Sequence, residues 1–304
     1  MTSVVLNPIL DGYALYAIYG AMALYTVAFL LFVWHLSRLS AKGKKIQATA
    51  LPIQRAALGI LIAAAAIHGA GAVMRGIAAS RVPWANMYEF SISGSFMIVA
   101  IFLCAWFVRE IRVIAVLVSG FALLVLGAAT TVFYVKVKTL MPALQSYWLV
   151  IHVTVAVLAT AFFNIAAALA VAYILRSWGW LGKSKLPIAQ LAKRVLSVFP
   201  ETKKLELLSY RFNIIGFILW TFTLAAGAIW AERAWHRFWG WDTKEVWTFI
   251  IWVIYAGYLH ATSTRGWTGV RAAWLSLVGF AAIMFNFTIV NLFFKGLHVY
   301  SGLK

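Results

Sequence analysis

Tryptophan is the residue type whose spacing first indicates chemistry in this chain. Five of the fifteen tryptophans lie within residues 230 to 247, among six charged residues. An interfacial aromatic belt explains one or two tryptophans at each helix end. The denser group favours a platform for a ligand, because indole faces stack on flat conjugated rings while charged groups contact polar ring substituents. These tryptophans are Trp230, Trp235, Trp239, Trp241 and Trp247.

Two of the six histidines are predicted to lie near this group. His152 follows Trp148 by four residues at the start of an apolar run, and His298 follows the last apolar run in the sequence KGLHVY. If the apolar runs cross a membrane, both imidazoles emerge on the side of the Trp-rich segment, Ala231 to Trp247. Two neutral imidazoles with an aromatic wall form a suitable site for a six-coordinate haem iron and its porphyrin. A single histidine of this kind more often caps a helix end, but two converging histidines favour ligation.

Other ionisable residues leave alternatives open. His260 lies about 22 Å along the seventh apolar run, where a functional role and a hydrogen-bonded packing role are both compatible with its depth. His68 differs from it in height by about 12 Å, so the second ligand for His260 is expected from another subunit. Asp242 and Glu245 either contact substrate or cap the seventh helix, whose N-terminus favours acidic groups.

The composition shows which elements must position these side chains. The chain has 304 residues, of which 64% are hydrophobic and 11% charged, whereas about one quarter of an average soluble domain is charged. Cys104 is the only cysteine, so an internal disulfide and a CxxC site are both excluded. We therefore expect a single integral membrane domain over residues 1–304, with any thiol chemistry supplied by a partner.

Apolar runs long enough to cross a bilayer predict an all-α helical bundle. The third and fourth runs are separated only by a short turn at residues 109–112, and the seventh begins with polar residues. Eight spans are predicted: Tyr13–Trp34, Ala56–Met74, Ser91–Val108, Val113–Tyr134, Trp148–Leu175, Phe212–Trp230, Glu245–Ala261 and Trp274–Leu292.

The basic residues predict the orientation of this bundle. The loops after spans one, three, five and seven hold 17 of the 26 Lys and Arg residues, which places those loops in the cytoplasm and both termini outside it. The Trp-rich segment between helices six and seven then faces the non-cytoplasmic side. Because the +18 net charge is scattered among loops, it indicates attraction to anionic lipid and no nucleic-acid partner.

Several sequence motifs of this chain resemble those of one protein family. The run WGWDTKEVW (Trp239–Trp247), followed by IIWVIYAGYLH ending at His260, is similar to the WWD signature of haem-handling proteins. It is most similar to that of the cytochrome c biogenesis proteins of the CcsA/ResC type. VPWANMYEF resembles the outer Asn-x-Tyr-Glu segment of that family, with Asn86 and Glu89 in the matching places, and LQSYWLVIH and FNFTIVNLFFKGLHVY resemble its two external-histidine regions.

The resemblance implies a function and a set of site residues. His152 and His298 would ligate an external haem b, and His260 would ligate a haem within the membrane. The WWD loop would hold the external haem against an apocytochrome c bearing a CxxCH motif. The residues implied or suggested for haem contact are His152, His298, His260, Trp235, Trp239, Trp241, Asp242 and Trp247, with His68, Asn86, Glu89 and Glu245 as further candidates.

The resemblance also implies partners and a location. A ResB-type membrane subunit would supply the other intramembrane histidine, and a thiol-reducing system would serve the apocytochrome. Together these proteins would form a cytochrome c synthase in a bacterial inner membrane or a thylakoid-type membrane. Thr243 stands where the family usually has proline, which puts the local loop conformation in doubt.

Two other functional classes remain open. A small-solute transporter is expected to have internal repeats and broken helices with charged residues at the midplane, and neither is evident. A haem-based electron carrier needs paired histidines inside the bilayer, whereas His68 and His260 are predicted at different heights.

Overall fold

The computed structural model describes residues 6–139, 145–177, 187–294 and 296–297. All regular elements in these ranges are helical, and eight of the helices are long and apolar enough to cross a membrane. The predicted all-α bundle with eight spans is therefore confirmed. The orientation of its ends relative to the cytoplasm stays a prediction.

Five of the spanning helices extend beyond both ends of the apolar runs from which they were predicted, whereas the third and the eighth begin earlier but also end earlier, and the fourth lies within its predicted run. The spanning helices are α1 (Pro8–Ser40), α3 (Ala50–Ala78), α4 (Met87–Ala105), α5 (Ala115–Thr131), α6 (Tyr147–Ser177), α8 (Thr202–Trp235), α9 (Thr243–Thr264) and α10 (Val270–Phe285). Shorter elements are α2 (Lys44–Ala48), a 3₁₀ helix (Arg109–Ile114), α7 (Pro187–Ser197), a π-helix (Asn286–Val290) and α11 (Asn291–Phe293).

Helices α1 and α3 form an antiparallel pair whose seam is mainly small or apolar. The buried positions on α1 alternate in steps of three and four residues, which is the spacing of a single helix face. In α3 the facing positions are also small or apolar over most of their length, and small residues let membrane helices approach closely. The buried α1 residues are Asp11, Ala14, Ile18, Ala21, Tyr25, Ala28, Phe32 and His35.

The spanning helices form two packed groups with a cavity between them. One core joins α1, α3, α4 and α5 to one side of α6. A second core joins the other side of α6 to α8, α9 and α10, and its centre is the stacked pair Phe163 and Tyr255, 3.7 Å apart. The cavity opens between these groups near the loop that connects α8 to α9, and we call this end of the bundle the Trp-loop end.

An ion network fastens the first group together at the Trp-loop end. The fully buried Arg75 of α3 forms ion pairs with Asp11 of α1 and Glu89 of α4, and also donates to the Val135 carbonyl at 2.9 Å. Burial chiefly raises the pKa of the Tyr134 phenol, which keeps its proton and donates to Asp11. Since every charge in this network has an opposite partner, the network offsets the cost of burying Arg75.

The Trp-rich segment is mostly helical. Helix α8 continues to Trp235 and α9 begins at Thr243, so the connecting loop is His236–Asp242. Two residues of this loop, His236 and Trp241, have left-handed backbone angles, with φ of 56° and 58°. The expected external loop over residues 231–247 is thus shorter, because α8 and α9 include both of its ends.

Candidate functional site

The cavity at the Trp-loop end has a volume of about 380 Å³, which lies within the usual range for small-molecule sites. Its walls come from α4, α5, α6, α8, α9 and the end of α10. Most of the surface is apolar and aromatic, whereas its polar groups are few. The aromatic residues are Trp84, Phe90, Phe121, Phe133, Trp220, Trp230, Phe238, Trp239 and Phe287.

His152 lies on the wall of this cavity, as the sequence predicted for a ligand at this end. Its Nδ1 is 2.9 Å from the Thr223 carbonyl, and because a carbonyl only accepts, Nδ1 carries the proton. In the neutral form of such a ring the lone pair lies on Nε2. The indole of Trp230 stacks on the imidazole at 6.0 Å and 19°. Histidines that ligate metals are usually oriented in this way, by a hydrogen bond at the ring nitrogen that does not bind the metal and by packing of the ring.

Gly227 makes room for this imidazole. A Cβ atom at residue 227 would lie 2.8 Å from Cε1 of His152 and 2.9 Å from its Nδ1. Real side chains do not approach this closely, so α8 needs glycine where the ring crosses it. This contact joins α6 and α8 at the predicted ligand.

The predicted tryptophans divide between the cavity and its surroundings. Trp239 lines the cavity and meets Trp241 edge-on at 5.9 Å. Trp241 is 78% exposed and is not among the described cavity residues. Trp235 packs edge-on against Trp230 at 4.8 Å, and Trp247 packs against Phe285 at 4.4 Å. Only Trp239 of these four thus offers an indole to the cavity, and Trp235 and Trp247 support the wall from behind.

Asp242 joins the Trp loop to the segment that precedes His298. Its Oδ1 accepts from the Lys244 N–H at 2.9 Å, which caps α9, and its Oδ2 accepts from the Leu297 N–H at 2.8 Å. His298 itself lies outside the described residues. Asp242 therefore acts through both helix capping and the placement of residue 297.

Glu245 has two roles as well. Its Oε2 accepts from the N–H groups of Gly240 and Asp242 at 2.7 and 3.1 Å, which completes the capping box. Its other oxygen, Oε1, is buried without a hydrogen-bond partner among the residues that the structure describes, and the residue lines the cavity. The two readings left open by the sequence are thus compatible for Glu245.

Thr243 occupies the first position of α9, where proline is well accommodated. The preceding residue, Asp242, has φ −59° and ψ 144°, which is the extended conformation that a following proline requires. The turn therefore has the backbone conformation that a proline at residue 243 would need, and threonine adopts it as well.

Asn86 and Glu89 have separate places near the site. Asn86 lines the cavity and caps α4 by accepting from the Glu89 N–H at 2.9 Å. Glu89 is fully buried in the ion network and accepts from the Ala85 N–H at 2.9 Å. Glu89 is not among the described residues that line the cavity. Its bond to the Ala85 N–H holds the Trp84–Asn86 segment, which does line it.

The two remaining candidate histidines that the structure describes, His68 and His260, lie apart from this cavity. His68 is fully buried between α1, α3 and α4, and its Nδ1 is 3.1 Å from the Tyr25 hydroxyl. His260 is exposed near the opposite end of α9, where its Nδ1 is 3.2 Å from the Thr264 hydroxyl. The structure brings neither of them to His152.

Sequence reasoning missed two polar residues of the cavity. Lys244 lines it and donates from Nζ to the Asn286 carbonyl at 2.9 Å. Asn286 is the first residue of the π-helix, and such helices are frequent at functional sites. Both residues lie inside runs that resemble the family, Lys244 in WGWDTKEVW and Asn286 in FNFTIVNLFFKGLHVY, but nothing in either run distinguished these two residues from their neighbours.

Comparisons with known proteins agree with this architecture. The family described as Cytochrome C assembly protein matches residues 84–298. The cytochrome c biogenesis protein CcsA of Guillardia theta is 33% identical over 244 residues, which cover 76% of this chain and 80% of that protein. A CcsA protein of Prochlorococcus marinus is 34% identical over 247 residues, which cover 75% of this chain and 78% of that protein.

A solved structure shares the fold. The cytochrome c haem lyase CcmF matches with a TM-score of 0.64 and 16% sequence identity, over 94% of this chain. The match covers 47% of CcmF, so this chain corresponds to about half of that protein. The chain belongs to the cytochrome c assembly protein family and is of the CcsA type.

Proposed function

We propose that this chain presents haem b at the Trp-loop end of the bundle for covalent attachment to apocytochrome c. The observation that carries the proposal is His152, which stands in the wall of an aromatic cavity with its Nε2 lone pair fixed by the Thr223 hydrogen bond. A hydrogen bond of this kind at the other ring nitrogen is typical of a histidine that ligates a metal. His298 follows Leu297, which donates its N–H to Asp242 at the start of α9, and is the proposed second ligand.

The chemistry of attachment needs two groups that this chain does not supply. In each thioether bond, a cysteine thiol adds across a haem vinyl group: the sulfur–carbon bond forms, the vinyl π bond breaks, and the thiol proton is balanced by a proton on the neighbouring carbon. The thiols come from the CxxCH motif of the apocytochrome, because the only cysteine of this chain, Cys104, is not among the described residues that line the cavity. The contribution of this chain is to hold the haem within reach of those thiols.

A second haem site is proposed at the other end of α9. His260 is exposed there, and α9 is the least buried of the described spanning helices. An exposed imidazole on a helix with a large free face fits a ligand shared with a neighbouring subunit. We propose a ResB-type subunit as that neighbour, within a bacterial inner or thylakoid-type membrane, with a thiol-reducing system serving the apocytochrome and the Trp-loop end on the non-cytoplasmic side.

The test is the haem content of purified variants. His152→Ala is expected to lower haem at the Trp-loop end and to abolish cytochrome maturation, because a five-coordinate iron is held weakly. Added imidazole is expected to restore part of the function by filling the vacated position. His298→Ala is expected to behave in the same way.

A matched control separates ligation from general effects of histidine removal. His236→Asn removes an exposed imidazole from the same loop, and asparagine tolerates the left-handed backbone that residue 236 adopts. This variant is expected to keep its haem. If His152→Ala and His298→Ala mature cytochromes at the normal rate, the proposed site is wrong.

A further inference from the structure

Two neighbouring residues of α9 give the cavity one cationic and one anionic wall. Lys244 extends toward the end of α10, where its Nζ reaches the Asn286 carbonyl at 2.9 Å. Glu245 extends back to the loop, where its Oε2 reaches the Gly240 N–H at 2.7 Å. Both side chains line the same cavity, and their charged groups are directed to different elements.

The cationic wall is built for a ligand with an anionic group. An ammonium group has three N–H donors, and burying it away from water is costly without negatively charged or accepting partners. The Asn286 carbonyl is a neutral acceptor, and each further N–H of Lys244 that points into the cavity gains most from a carboxylate.

The same wall carries a buried polar group whose hydrogen bonding is incomplete within the described part of the chain. The Oδ1 atom of Asn286 is buried with no hydrogen-bond partner among the described residues, in a residue that is only 7% exposed. Such a group is costly unless a ligand or water satisfies it. Since the amide can turn about its last bond, it presents either its oxygen or its NH₂ group to a bound molecule.

We propose that Lys244 and Asn286 form a carboxylate subsite of the cavity, which takes a propionate group of haem. This inference rests on the proposed function and adds the orientation of the ring. Glu245, whose carboxylate is directed to the loop and whose Oε1 has no hydrogen-bond partner among the described residues, repels a propionate and so favours one orientation. Because propionates and vinyl groups lie on different edges of the porphyrin, fixing the propionate edge also fixes where the vinyl groups are presented.

The test compares haem with haem dimethyl ester, whose carboxylates are masked while its ring and iron are unchanged. Both are titrated spectrophotometrically into the purified full-length chain in detergent. The wild-type chain is expected to bind haem more tightly than the diester by roughly tenfold or more, the loss expected when a charge-assisted hydrogen bond is removed. Lys244→Gln is expected to lose that preference, with little further change for the diester.

Two further variants check the sign and the location of the effect. Glu245→Gln keeps an oxygen for the Gly240 and Asp242 N–H groups but removes the negative charge, so the preference for haem over the diester is expected to rise. Lys136→Gln removes an exposed positive charge from the segment after α5, and its preference is expected to match that of the wild type. Any general change in the loop affects haem and diester alike and cancels in their ratio.

The outcomes are distinguishable from a failure of the proposed function. If Lys244→Gln retains the wild-type preference for haem, or if the wild-type chain has none, the carboxylate subsite is wrong although the haem cavity stands. If neither compound binds in a manner that depends on His152, the proposed function itself fails.

Discussion

At the scale of single residues, the position of His152 depends on its neighbours more than on its own helix. The Thr223 carbonyl sets which nitrogen carries the proton, and the Trp230 indole limits rotation of the ring. Both neighbours belong to α8, whereas His152 belongs to α6. A helix pair therefore presents the imidazole, and small changes in α8 are expected to alter ligation.

Gly227→Ala is the sharpest test of this arrangement. The new Cβ would lie 2.8 Å from the imidazole, so the ring has to shift away from the Thr223 carbonyl. We expect haem affinity at the Trp-loop end to fall on the order of tenfold, the usual cost of losing the group that orients a ligand. The measurement is a haem titration of the purified variant.

The control for that prediction is Gly127→Ala on α5, where a Cβ meets nothing within 4 Å. Alanine favours helix over glycine by about 1 kcal/mol, so neither substitution is expected to weaken its helix by propensity. Equal haem affinity in both variants would contradict the proposed role of His152.

The sequence predicted the place of His152 but not its contacts. Counting from Trp148 gave its depth, because residue rise along a helix is fixed. The stacking on Trp230 and the clearance at Gly227 arise from the pairing of α6 with α8, which no local pattern encodes. Glu89 shows the same limit, since its partner Arg75 lies on a different helix.

At the scale of elements, the turn between α8 and α9 is fixed by its capping groups. Asp242 and Glu245 satisfy N–H groups at the start of α9 and within the loop, and Asp242 also holds Leu297. The loop retains its shape although Trp241 has a backbone φ of 58°, which is unusual for a tryptophan. This capping system therefore connects the Trp loop to the proposed ligand His298.

Asp242→Ala is expected to lose both connections. Loss of the cap costs about 1 kcal/mol of helix stability, and release of Leu297 is expected to lower haem binding through His298. Asp242→Asn has one side-chain acceptor oxygen in place of two, so it can keep the cap while losing the tether. We expect haem affinity to decrease from the wild type to Asp242→Asn and further to Asp242→Ala.

Thermal unfolding and haem titration together check this prediction. The Asn variant is expected to unfold near the wild-type temperature but to bind haem less tightly. If Asn and Ala variants both bind haem as the wild type does, the contact with Leu297 has no part in the site.

Element boundaries were the least predictable part of the fold. The eight spans follow from apolar length alone, but charged residues at Glu232 and Arg233 suggested a loop where α8 in fact continues. The part of a helix that extends out of the bilayer needs no apolar residues, since water and polar side chains can hydrogen-bond its terminal backbone groups, as in a soluble protein. Hydropathy therefore located the spans and missed their ends.

At the scale of the whole molecule, the two packed groups and the cavity between them define one functional end. His152, Trp239 and Lys244 all line the cavity there, so the function depends on which side of the membrane this end faces. The excess of basic residues in alternate loops predicts that it faces away from the cytoplasm.

A reporter active only outside the cytoplasm tests this orientation. Fusion after Lys304 is expected to give an active reporter, and fusion within residues 182–196 an inactive one. The reverse pattern would place the Trp loop in the cytoplasm, where apocytochrome attachment is not expected, and would overturn the proposed face of action.

The two proposed haem sites make the last prediction, because they lie at opposite ends of α9. His260 is about 26 Å along the helix axis from Thr243 and does not line the cavity among the residues that the structure describes. His260→Ala is therefore expected to remove a haem held with the partner subunit while the Trp-loop end still binds haem supplied from outside. Trp239→Ala is expected to do the reverse, losing a stacking surface worth roughly 1 to 3 kcal/mol by analogy with planar bases on aromatic side chains.

Trp241→Ala provides the matched control for the tryptophan, because Trp241 is 78% exposed and is expected to affect haem less than Trp239 does. Difference spectra of the complex with each variant decide the question. Loss of the same spectral component from His260→Ala and Trp239→Ala would mean a single haem site. In that case one haem would have to contact residues at both ends of α9. The separation of His260 and Trp239 along the helix instead predicts that each variant loses a different spectral component.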